Sequence, residues 1–93
     1  NYPRWHFMST SLTNPQELLN WQHAKRIVEA LLFSHSEPLP LAKIKEALDS
    51  FQVFKPKEVA TLLSELQQEY HRQHRAFCLE EVAQGYILRT VEE

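Results

Sequence analysis

The chain has 93 residues, 43% of them hydrophobic and 24% charged, with a formal net charge of -2, five histidines and one cysteine. That length sets a limit of one small domain with a modest core, and no apolar run approaches the roughly 20 residues needed to cross a bilayer. A lone Cys78 excludes a disulfide framework and fits a reducing cytosol, while the slight excess of acid argues against indiscriminate capture of polyanions, which needs clustered Lys and Arg.

From Asn1 to Thr13 the residues follow neither a helical nor a strand period; Pro3, Trp5, Phe7 and a Ser/Thr run read as a flexible leader. It lacks the charged and apolar regions of a secretory signal, and because Met8 could itself begin translation, part of the leader is expected to derive from expression. Residues 14–93 read as the domain. Asn14-Pro15-Gln16-Glu17 supplies a capping oxygen, a proline with preset φ and a first-turn acid, so a helix starts there. Leu18, Leu19, Ala24, Ile27, Val28, Leu31 and Leu32 continue it as an apolar face to about Phe33 or Ser34.

Ser36-Glu37-Pro38-Leu39-Pro40 breaks that helix and predicts a short extended link. Leu41, Ile44, Ala47 and Leu48 mark a short second helix, and Val59, Leu62, Leu63, Leu66 and Tyr70 mark a third from Pro56 to Arg72. Phe77–Val82 and Tyr86–Thr90 have strand composition, with Ala83-Gln84-Gly85 between them. Gly85, the only glycine, predicts a turn angle that other residues resist. The fold class is mainly α: a winged helix, three helices followed by a two-stranded antiparallel hairpin.

Winged helices often read DNA through the third helix and the hairpin, but here Lys55, Lys57 and Arg72 are offset by Glu58, Glu65 and Glu69. On the hairpin Arg89 faces Glu80, Glu81, Glu92 and Glu93, so direct nucleic-acid binding is not expected. A DNA-binding dimeric regulator using Lys43, Lys45, Lys55 and Lys57 is the alternative. His71 and His74 stand three apart, yet with Cys78 they make no compact ligand pattern, so no metal is expected. Neither a nucleophile with a base nor a phosphate-cradling loop is present, so no catalytic residues and no cofactor are expected. Among the aromatics Phe33 and Phe51 read first as core, with Trp21 ambiguous between core and interface.

Ile27-Val28-Glu29-Ala30-Leu31-Leu32-Phe33, then Ser36-Glu37-Pro38-Leu39, then the hairpin ending Gly85-Tyr86-Ile87-Leu88-Arg89-Thr90 together resemble the amino-terminal winged-helix domain of segregation and condensation protein B, ScpB. The resemblance spans about Ala24 to Val91; Gln84 and Ala76 depart from it where the family commonly has glycine, and the family's second winged helix is not in this sequence. It implies a non-enzymatic homodimer that binds a kleisin of the ScpA kind and, through it, the Smc ATPase of a bacterial condensin. Cytoplasmic location at the nucleoid and no membrane contact follow from the same resemblance. With binding as the expected role, Trp21, Phe33, Tyr86, Leu88 and Arg89 are placed nearest the partner surfaces, with Gly85 shaping the hairpin turn.

Overall fold

Both long helices begin where proline and a capping group set them. In the computed structural model, which describes residues 14–91, the Asn14 side chain accepts the Gln16 amide at 2.8 Å and Pro15 opens α1 (Pro15–Phe33). After α2 (Leu41–Asp49), α3 (Pro56–Arg72) opens on Pro56, and the Glu58 carboxylate accepts the Lys55 amide at 2.7 Å. The chain then forms β1 (Phe77–Val82) and β2 (Gly85–Thr90), an antiparallel pair with Leu79 opposite Leu88 and Val82 opposite Gly85. This is the winged-helix order expected from the sequence. The leader expected at residues 1–13 lies outside the described residues.

One core joins the elements. Ala24, Val28 and Leu32 of α1 meet Ile44 and Leu48 of α2 and Val59, Leu62, Leu63 and Leu66 of α3, with Phe54 and Leu79 completing the cluster. Burying each large aliphatic side chain contributes about 1.5–3 kcal/mol, which makes this cluster the main source of stability.

The structure departs from the sequence-derived burial pattern at several apolar residues. Leu18 and Leu19, in the first two turns of α1, are exposed. Phe33 is 57% exposed, one residue past Leu32 and therefore about 100° round the helix from the core line. Phe51, in the connection after α2, is also exposed, its ring stacked on His23 at 4.9 Å. Trp21, by contrast, is only 7% exposed; it packs edge-on to Phe54 and shares the inward face with Ala24, Lys25 and Val28.

The extended link before α2 does more than connect. The Leu39 amide donates to the Tyr86 carbonyl and the Tyr86 amide donates to the Leu39 carbonyl, each at 2.8 Å, so Leu39 acts as a one-residue third strand on the outer side of β2. Gly85, next to this bridge, has φ +139°, and a Cβ placed there would lie 2.1 Å from the Leu39 carbonyl oxygen. Both the backbone angle and the close approach require glycine. Gly85→Ala is expected to lose about 1–3 kcal/mol from the angle alone and more from the contact, seen as a fall of at least about 4 °C in thermal midpoint.

Candidate partner interface

The residues that the sequence singles out occupy two ends of α1 and the wing. Tyr86 and Leu88 are half-buried and lean on the core from β2. Arg89 is exposed and pairs diagonally across the hairpin with the Glu80 carboxylate. Burial, and then the negative charge of Glu81 directly opposite, raises the Tyr86 hydroxyl above the usual tyrosine range. Phe33 meets Phe77 edge-on at 5.0 Å, and Phe77 meets Tyr70 at 4.8 Å, so an aromatic row runs from the exposed end of α1 through the base of the hairpin to α3. The fold thus brings Phe33 and the hairpin signature to the same side of the domain.

Trp21 does not join them. It lies three turns earlier, about 18 Å back along α1, and its indole N–H donates to Glu65 at 2.9 Å. That places it in a buried polar seam rather than on a free surface.

This seam escaped the sequence reading. Lys25 is 3% exposed, and its ammonium lies 2.8 Å from Glu65 and also reaches Glu69, both on α3. Burial alone would lower its pKa, but the two carboxylates outweigh that and raise it. Arg26 binds Glu29 at 3.0 Å, and the Tyr70 hydroxyl donates to the same Glu29 at 2.7 Å. The Tyr70 pKa is raised well above the tyrosine range, by burial first and by Glu29 second. The signal was present in the sequence: Trp21, Ala24, Lys25, Val28 and Leu32 follow one helical stripe, and a charge within such a stripe demands a partner.

Both protonated groups make the fold alkali-sensitive. The unfolded chain releases these protons near pH 10, whereas the folded chain holds them to higher pH, so their contribution is complete below about pH 10 and is lost as pH rises beyond it. The thermal midpoint is expected to drop above about pH 10, and Tyr70→Phe should flatten that drop. An equal drop in both proteins would show that Tyr70 is not its source.

The remaining signals resolve as follows. Lys43 lies 3.8 Å from Glu46 and Lys45 lies 3.3 Å from Asp49, so half of the small lysine cluster is locally neutralised. His71, His74 and Cys78 line one groove, but among the described residues no group of three or more His, Cys, Asp or Glu is arranged to hold a metal ion. Among the same residues no helix is long and apolar enough to cross a membrane. Exposed apolar side chains lie at both ends of α1. Leu18 and Leu19 flank the point where the Asn20 amide donates to Gln52 at 3.2 Å, between exposed Phe51 and Val53 in sequence, and Phe33 and Val91 lie near the hairpin base.

Comparison with known proteins gives this surface a context. The family described as segregation and condensation complex subunit ScpB matches residues 26–93. The chain is 37% identical over 73 residues to segregation and condensation protein B of Symbiobacterium thermophilum, covering 78% of this chain and 32% of that protein. It is 46% identical over 69 residues to the protein of the same name from Syntrophotalea carbinolica, covering 74% of this chain and 33% of the relative. The chain therefore spans about a third of the length of these curated relatives. A crystal structure of a dimer of an ScpB N-terminal domain complexed with an ScpA peptide superposes with a TM-score of 0.65 at 36% identity, covering 74% of this chain and 76% of that one. These matches do not favour the alternative of a DNA-reading regulator.

Proposed function

The chain belongs to the ScpB family of segregation and condensation complex subunits, and from that premise we propose that it is a protein-interaction module of a condensin-type complex. It pairs with a second copy of itself and grips a kleisin of the ScpA kind, which connects it to an Smc ATPase at the nucleoid in the cytoplasm. It performs no chemistry of its own.

One observation carries this reading: the related N-terminal domain, matched over three quarters of its length, was solved as a dimer holding an ScpA peptide. The surface described above supports it physically. A small domain that leaves large side chains such as Leu19, Val53 and Phe33 in water gains by covering them, and clustered exposed apolar groups mark protein contacts. The hairpin carries Glu80 and Glu81 beside its one exposed arginine, which suits a protein surface better than a phosphate backbone. Of the residues placed near partners, Phe33, Tyr86, Leu88 and Arg89 keep that assignment, and buried Trp21 is reassigned to the core.

Size-exclusion chromatography with light scattering, run on the chain alone and then with the ScpA-type kleisin of its organism, tests the reading. The expected outcome is a dimer that shifts to a heavier co-eluting complex. Phe33→Ser and Arg89→Ala should weaken one or both associations by about tenfold with little change in melting, as interface truncations of about 1–2 kcal/mol do. A monomer that ignores the kleisin overturns the reading. Unchanged association in both variants removes these two residues from the interface.

A further inference from the structure

The groove between the end of α3 and the outer edge of β1 combines a strand edge that Gln67 covers only at the Leu79 carbonyl with one arginine, Arg75, on its rim. Its volume is about 520 Å³, and its lining includes Tyr70, Phe77, Leu79 and Val91 as apolar groups and His71, His74 and Arg75 along the margin. No carboxylate lines it, in a chain whose acids outnumber its Lys and Arg. The Arg75 guanidinium donates to the neutral Gln73 side chain at 3.0 Å and makes no ion pair with a described carboxylate.

The strand register shows which main-chain groups face this groove. The Val91 amide donates to the Ala76 carbonyl at 2.9 Å, which makes 76 and 91 a hydrogen-bonded pair. In an antiparallel ladder such pairs alternate, so Phe77, Leu79 and Glu81 turn their amides and carbonyls away from β2. The other side of the ladder agrees: Tyr86, opposite Glu81, spends both of its outward groups on Leu39. On the β1 side the Leu79 carbonyl accepts the Gln67 side-chain amide at 2.9 Å, while the Phe77 and Leu79 amides have no partner among the described residues. Their donors therefore stand in the groove, beside an apolar floor and a permanent positive charge.

We infer that this groove takes an extended, acidic and apolar segment of the kleisin partner as an added strand along the outer edge of β1. The inference rests on the function proposed above and adds to it a place and a chemistry. Main-chain hydrogen bonds to Phe77 and Leu79 supply affinity in such strand addition, and the side chains flanking the edge supply selectivity. An apolar side chain of the segment would lie over Phe77 and Val91, and a carboxylate would meet Arg75, giving that arginine the ion pair it lacks. The Leu79 carbonyl has two lone pairs and can keep Gln67 while accepting from the added strand.

The test uses the 93-residue chain and the same kleisin, with three readouts. On saturation, the Phe77 and Leu79 amides should become protected from hydrogen exchange, as newly bonded edge amides do. Cys78, the only cysteine and a lining residue of the groove, should react about tenfold more slowly with a maleimide. The exposed double variant His71→Glu, Arg75→Glu should bind about tenfold more weakly at low salt while retaining the wild-type melting temperature. Kleisin binding that leaves these amides, Cys78 reactivity and the variant's affinity unchanged overturns the groove assignment and leaves the proposed function standing. Failure of the wild-type chain to bind the kleisin overturns both. Protection of the same amides by self-association alone, at rising protein concentration, assigns the groove to a second copy and also overturns the inference.

Discussion

The closure of Leu39 onto Tyr86, with Gly85 beside it, is the constraint on which the arrangement of the domain depends. Without it the hairpin would be a two-stranded ribbon attached to α3, and such ribbons are marginal in water. The two hydrogen bonds tie the link between α1 and α2 to the far side of the hairpin, so a segment before α2 and a segment after α3 hold each other. The geometry leaves no volume for a Cβ at the closing point, which explains why the chain's single glycine stands there. Tyr86 and Leu88 are then pressed against the helical core, while Arg89 and Glu80 are left at the surface.

A second constraint fixes α1 against α3. Lys25 is buried with its charge intact because two carboxylates from α3 converge on it, and Tyr70 completes the seam through Glu29. Apolar residues alone would let two helices slide by a turn at modest cost. A buried ammonium with defined partners makes such a slip leave an unpaired charge, which costs far more than a lost methyl contact. That fixed pairing of α1 with α3 holds the aromatic row of Phe33, Phe77 and Tyr70 in place, and the same row sets the depth of the groove beside β1.

Much of this was legible from the sequence. The three helices, their proline starts and the hairpin follow from periodicity and punctuation, and the glycine's role follows from its isolation. Less legible was anything that depends on which elements end up adjacent. Leu39 reads as part of a proline break because a one-residue strand has no period. Leu18, Leu19, Phe33 and Phe51 read as core because hydrophobic residues near the end of a helical stripe look the same whether or not a neighbouring element reaches them. The burial of Trp21, which reads as ambiguous, and of Lys25, which the sequence does not single out, depends likewise on a distant element: on Glu65 and Glu69, forty or more positions later in the chain. Of the residues placed near partners, those on the hairpin were found through family signature rather than through any chemistry of their own.

The same features suit the domain to binding another polypeptide. Several of its charged groups are engaged with one another: Lys25 and Arg26 with α3 acids, Lys43 and Lys45 within α2, and Arg89 across the hairpin. Among the described residues there remain hydrophobic surface at the two ends of α1, the Arg75 guanidinium and unpaired main-chain donors along β1. The hydrophobic surface and the main-chain donors cannot move a proton or activate a nucleophile, but both are satisfied by another polypeptide, the first by apolar side chains and the second by an extended backbone. The end of α1 at Leu18 and Leu19 is remote from the hairpin, whereas the other end, at Phe33, meets Phe77 beside the donors of β1.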